Sequence, residues 1–95
     1  MYRIARSKRF ERSFRKLEKS GKLSDATRGD LILVFDLLAA GRVLPMSFWD
    51  HRLKGEFQAY RECHIKGDLL LVYQPDTGDG IITVQDIGTH SYLFG

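Results

Sequence analysis

The chain holds a single cysteine, Cys63, and two prolines, Pro45 and Pro75. One cysteine excludes an internal disulfide and suits a reducing compartment. No apolar run approaches the ~20 residues that a membrane span needs. Met1-Tyr2-Arg3-Ile4-Ala5-Arg6 turns basic where a secretion signal would turn apolar. The expectation is a soluble cytoplasmic protein with no membrane partner. There is no Gly-rich phosphate loop and no serine-nucleophile motif, and no repeat, low-complexity stretch or linker. Ninety-five residues, 43% of them hydrophobic, suffice for one core and one domain, 1–95, of modest stability.

What is present is unevenly spread. Residues 1–22 carry nine Lys/Arg against two Glu, a local +7, while residues 23–95 carry six basic and ten acidic residues, a local −4. Segregated charge favours a polyanionic partner, although a solvated helix face gives the same pattern. Arg9, Arg12, Arg15, Lys16 and Lys19 are the candidate phosphate contacts to such a partner.

The periodicity predicts β-α-α-β-β-β. Tyr2–Arg6 reads as a short strand. Ser7 caps a helix with Phe10, Phe14 and Leu17 at helical spacing, and Gly21 ends it. Ser24 or Asp25 caps a second helix burying Leu31, Val34, Phe35 and Leu38, with Ile32 broadening that face and Gly41 stopping it. Gly29 inside it implies close packing or a late helix start, since it costs about 1 kcal/mol relative to alanine. The short Gly21–Leu23 connection makes the helices antiparallel. Val43–Gly55 is irregular, and Met46, Phe48 and Trp49 are expected to plug the end of the core. From Phe57 to Ile65 the period is two, with Lys66-Gly67 as the hairpin turn. Leu69–Tyr73, apolar on both faces, is a central strand. Pro75–Gly80 is a turn, Ile81–Gln85 a further strand, and Tyr92-Leu93-Phe94 can add one more short strand. The expected class is α+β, with two helices on one face of a mainly antiparallel sheet.

His51, His64 and His90 each fall at or near the end of an element, with Asp68 beside His64. Antiparallel strands return His90 toward the hairpin that holds His64 and Asp68; His51 has no such constraint. Paired imidazoles can divide proton acceptance and delivery near neutral pH. For RNA, one group takes the 2′-hydroxyl proton, another protonates the departing 5′-oxygen, and a cation steadies the phosphorane charge. Arg52, Arg61 and Lys66 are candidates for the cation, with Arg61 on the strand face opposite His64. Three histidines and Asp68 also match a zinc ligand set, but they come from separate segments and no His-x-x-x-His pair exists. Cys63 and His64 point to opposite strand faces, which disfavours a Cys/His nucleophile.

Taken in order, Asp50-His51-Arg52-Leu53-Lys54-Gly55, Tyr60-Arg61-Glu62-Cys63-His64-Ile65, Asp68-Leu69-Leu70-Leu71-Val72-Tyr73 and Gly88-Thr89-His90-Ser91 with Leu93-Phe94 resemble the YafQ branch of the RelE-type bacterial toxins. The resemblance spans roughly residues 50–95. It implies a RelE-like fold and the toxin of a type II toxin–antitoxin pair. The implied activity is a ribosome-dependent endoribonuclease that cuts mRNA in the A site without metal or other cofactor. It further implies His51, His64, Asp68 and His90 as catalytic residues, Phe94 as a substrate-positioning aromatic, and a cognate antitoxin. Two positions depart from the branch: Leu69 stands where a tryptophan is common, and Asp86 where some members have a basic residue. A carboxylate there is expected to weaken catalysis or change codon preference. These departures support a second reading, a binding protein of the same fold that blocks the ribosome or another target without cleaving RNA.

Overall fold

Ser7 and Ser24 place hydroxyls where the first free amides of a helix need acceptors. The Phe10 amide donates to Ser7 Oγ at 3.0 Å and the Thr27 amide to Ser24 Oγ at 3.1 Å. These caps start α1 (Lys8–Ser20) and α2 (Asp25–Ala39). Gly21, at φ 73°, ends α1 in the left-handed region that glycine enters without a Cβ penalty. Phe10 packs on Phe35 with ring centroids 6.1 Å apart, and Arg28 meets Glu18 at 3.4 Å. Pairing the start of α1 with the far part of α2 makes the helices antiparallel, as expected.

The computed structural model describes all 95 residues. Five strands, β1 (Arg3–Arg6), β2 (His51–Arg52), β3 (Arg61–Lys66), β4 (Leu69–Asp76) and β5 (Ile81–Gly88), form one sheet in the order β1-β5-β4-β3-β2. Only β1 pairs in parallel, with β5; the other pairs are antiparallel. Cys63, Ile65, Leu71, Val84 and Ile87 meet Phe10, Leu31, Val34 and Leu38 of the helices in the core. β4 is buried at every position from Leu69 to Tyr73, as its two-sided apolar run requires. The α+β class therefore holds, with helices layered on a mostly antiparallel sheet.

Several local expectations are corrected. The tail is not a strand: His90–Phe94 forms a third helix, α3, because Thr89 Oγ1 accepts the Tyr92 amide at 3.2 Å and caps it. The additional short strand is instead His51–Arg52. Phe57–Tyr60 is not extended; a 3₁₀ turn at Gly55–Phe57 delays β3 to Arg61. The hairpin loop is Gly67-Asp68, one residue later than expected, with Gly67 at φ 59°. β4 runs through Pro75 to Asp76 before the turn. Ile32 is 61% exposed, since it lies off the stripe set by Leu31 and Val34. Gly29 is mid-helix and exposed, with nothing within 4 Å of the place a Cβ would take, so neither close packing nor a late start accounts for it. Of the three apolar residues expected to plug the core, only Phe48 is buried; Met46 is 95% exposed and Trp49 67%.

Candidate active site

β2 lies at the sheet edge and registers His51 opposite Glu62 of β3. His51 Nδ1 lies 2.9 Å from the Trp49 carbonyl oxygen. A carbonyl only accepts, so Nδ1 carries the hydrogen in this contact. His51 Nε2 lies 3.4 Å from Glu62 Oε2, whose side chain is 8% exposed. That contact is attractive only with a proton between the two groups, carried by the imidazole or by the carboxyl. Both ring nitrogens of His51 are therefore engaged.

His64 stands two residues from Glu62 on the same strand face. Its ring centroid is 6.3 Å from that of His51 and 5.2 Å from that of Trp49, stacked at 23°. Neither nitrogen of the half-buried His64 has a hydrogen-bond partner within the protein. Trp49 is the only non-glycine residue at positive φ (45°). A conformation of this kind costs of order 1 kcal/mol and persists where surrounding contacts over-determine it.

Those contacts come from Asp50. Arg61 donates to Asp50 Oδ2 through Nε (3.2 Å) and Nη2 (3.0 Å), and the buried Tyr73 hydroxyl donates to Oδ1. The hydrogen bond to Asp50 holds the Arg61 guanidinium protonated above its ordinary range. Burial, and then the Asp50 carboxylate, push the Tyr73 phenol up. Arg61 is thus committed on the helix-facing side of β3, opposite His64, and is not gathered with the histidines. Lys66 is likewise drawn to the helix layer, 3.5 Å from Asp30 of α2. Arg52 is the candidate cation left exposed at the sheet edge. Cys63 is wholly buried, and desolvation, followed by the Asp50 and Glu62 charges, pushes its thiol up to about 12. A thiol of that kind is inert as a nucleophile.

Asp68 is exposed in the hairpin turn and makes no side-chain hydrogen bond or ion pair. His90 opens α3, its ring 5.3 Å from Phe94, which meets Phe57 edge-on at 6.0 Å. His64, Leu70 and Gly88 are aligned across three strands, so Gly88 is about 10 Å from His64 by strand spacing. His90 follows two residues later. His51, which topology left free, is the ring beside His64, and His90 forms a second cluster with Phe94 and Phe57. A cavity of about 110 Å³ borders this second cluster and is lined by Arg9, Tyr60, Val72, Asp86 and Phe94 among others. No histidine lines it; His51 and His64 are half-buried and His90 is exposed.

The basic helix divides. Arg9, Arg12 and Lys16 border a groove of about 380 Å³ with Ser13, Asp86 and Tyr92. Arg15 lies instead beside Glu11 and Glu18, and Lys19 is exposed. Sequence reasoning missed Glu62, Asp50 and the exposed stack of Trp49. Glu62 was within reach, since position i−2 from His64 on a period-two strand shares its face. No three His, Cys, Asp or Glu side chains are grouped so as to hold a metal ion.

Residues 2–95 match the family described as the bacterial toxin of a type II toxin–antitoxin system, YafQ. The chain is 36% identical over 52 residues to the mRNA interferase toxin YafQ of Escherichia coli K12, covering 55% of this chain and 54% of that relative. Such matches span about half or less of the curated relatives' length. Among solved structures, a metal-bound toxin from Helicobacter pylori superposes with TM-score 0.86 at 38% identity, over 99% of this chain and all of the other. YafQ in the E. coli DinJ–YafQ complex superposes at 0.84 with 27% identity, over the full length of both chains.

Proposed function

The chain belongs to the YafQ family of bacterial type II toxin–antitoxin toxins, and on that premise we propose that it is an endoribonuclease that cuts mRNA in the ribosomal A site by metal-independent acid–base chemistry. The observation that carries this reading is the imidazole pair. His64 has free nitrogens 6.3 Å, ring to ring, from a His51 oriented by a backbone carbonyl and a buried carboxylate. Two imidazoles in unlike settings suit a reaction that removes one proton and delivers another.

In the proposed step, His64 accepts the proton of the 2′-hydroxyl and the freed oxygen attacks phosphorus. The bond to the 5′-oxygen breaks, and that oxygen takes a proton from a histidine, His51 or His90. The products are a 2′,3′-cyclic phosphate and a 5′-hydroxyl end. Phe94 stacks on a base, with Asp68 and Arg52 at the rim of the site. Arg9, Arg12 and Lys16 neutralise phosphates, supported by Arg15 and Lys19 along the exposed side of α1. The E. coli relative was solved with DinJ, and we extend that pattern to a cognate antitoxin for this chain. Exposed Val43, Met46 and Trp49, the last stacked on His64, are apolar side chains such a partner would cover.

Induced expression tests this. Growth arrest should be relieved by His64→Ala, and mapped transcript ends should cluster in A-site codons with 5′-hydroxyl chemistry. Cleavage should be undiminished when the purified protein is treated with EDTA and desalted before ribosomes are added. Arrest without new ends would establish the blocking alternative, and loss of cleavage on chelation would refute the metal-independent step.

A further inference from the structure

α3 is five residues long, well below the length at which a helix stands alone in water. It nonetheless carries His90 and Phe94. Its backbone bonds, Leu93 to Thr89 and Gly95 to Ser91, stay within the helix and its cap. One hydrogen bond leaves it: Tyr92 Oη lies 2.8 Å from Ser13 Oγ of α1. Ser13 is 2% exposed and its hydroxyl lies 2.6 Å from Asp86 Oδ1. A carboxylate accepts, so the single Ser13 proton goes to Asp86 and Tyr92 donates to Ser13. The Ile87 amide donates to the same Asp86 oxygen at 2.8 Å. The Tyr92 ring packs against Gly88, where a Cβ would come within 2.5 Å of Cδ2. Lys16 Nζ sits over the same ring, 5.8 Å from its centroid.

We infer that Tyr92, Ser13 and Asp86 are positioning residues, a hydroxyl relay that fixes α3 and so holds His90 and Phe94 where the reaction uses them. The inference rests on the cleavage reading for its catalytic half alone. It also reassigns Asp86. The carboxylate that stood out in the sequence as an unwelcome charge near phosphate is the terminal acceptor of the relay, 9% exposed.

Tyr92→Phe keeps the ring on Gly88 and deletes the donor. Losing one net hydrogen bond should raise amide exchange at Leu93 and Gly95 by about three- to tenfold and lower kcat for RNA by a similar factor, with KM within about twofold. Core amides such as Leu71 should be unaffected, which separates loosening of α3 from global destabilisation. Asp86→Ala should reproduce the loss, and Asp86→Asn, which retains an acceptor oxygen, should recover most of it. A Tyr92→Phe/Ser13→Ala double variant should be no worse than the singles, because both break one chain. The inference is overturned if Tyr92→Phe leaves exchange at Leu93 and kcat unchanged, or if Asp86→Asn behaves as Asp86→Ala or exceeds the wild type. If the unaltered chain cleaves no RNA, the functional reading fails, while exchange at Leu93 still decides whether the relay holds α3.

Discussion

Replacing Asp50 by alanine removes the one group that satisfies both Arg61 and Tyr73. The Tyr73 side chain belongs to a residue 3% exposed, so its hydroxyl would lose its only acceptor in a place water scarcely reaches. An orphaned buried donor costs about 1–3 kcal/mol. Arg61 is 32% exposed and can turn partly to solvent, so its share is smaller, on the order of 1 kcal/mol. Together the expected loss is about 2–4 kcal/mol, which in a domain of this size lowers Tm by roughly 10–25 °C. Far-UV circular dichroism melts measure it directly. Asp50→Asn, with one acceptor kept, should lose less. In the Asp50→Ala/Tyr73→Phe pair the losses should fall short of additivity by about 1 kcal/mol, because the second change removes the orphaned donor. Since Asp50 lies between Trp49 and His51, RNA cleavage should also fall at temperatures well below the new Tm. A Tm drop under about 3 °C, or strict additivity in the pair, would refute the claim that this cluster anchors the candidate site.

Gly29→Ala fills open space on an exposed turn of α2 and should stabilise the fold by about 0.5–1 kcal/mol, read as a raised urea midpoint. Trp49→Gly should leave stability within about 1 kcal/mol, because relief of the positive φ offsets the glycine's entropy. It should nonetheless reduce RNA cleavage by removing the ring stacked on His64. The fold keeps the Cys63 thiol and the Tyr73 phenol neutral, and both are raised relative to the unfolded chain. Their contribution is present in full below about pH 9 and is lost as pH climbs toward 12. Urea midpoints should therefore fall over that window, less steeply in Cys63→Ala. The folded protein should leave Cys63 unreacted with a thiol reagent at pH 8.

Much of the fold was legible because local rules and global packing agree there. Ser7, Ser24 and Gly21 bracket helices through contacts with their own neighbours, and the two-sided apolar run of β4 allows no place but the centre of the sheet. Errors gathered where a residue's state depends on distant chain. One error is local: Phe57–Tyr60 alternates like a strand, but the 3₁₀ turn that starts at Gly55, closed by the Phe57 amide on the Lys54 carbonyl and the Gln58 amide on the Gly55 carbonyl, keeps it from extending. Tyr92–Phe94 is apolar enough for a strand, yet Thr89 caps it as a helix and Ser13, far off in sequence, receives it. Trp49 and Met46 have the composition of core residues, but Leu44 and Phe48 already close that end.

The residue types of the candidate site belong to the sequence: three imidazoles at element ends, an aspartate in the turn, and a basic first helix, in an order that named the family. Tertiary structure decided which of them meet. Register at the sheet edge set His51 against Glu62 and beside His64, while strand alternation turned Arg61 away to Asp50. The same long-range pairing converted Asp86 from a stray negative charge into the acceptor that receives Ser13. Alternation and capping are set within a few residues and can be read along the chain, whereas register across strands and contacts between α1, β5 and α3 exist only once the core has formed.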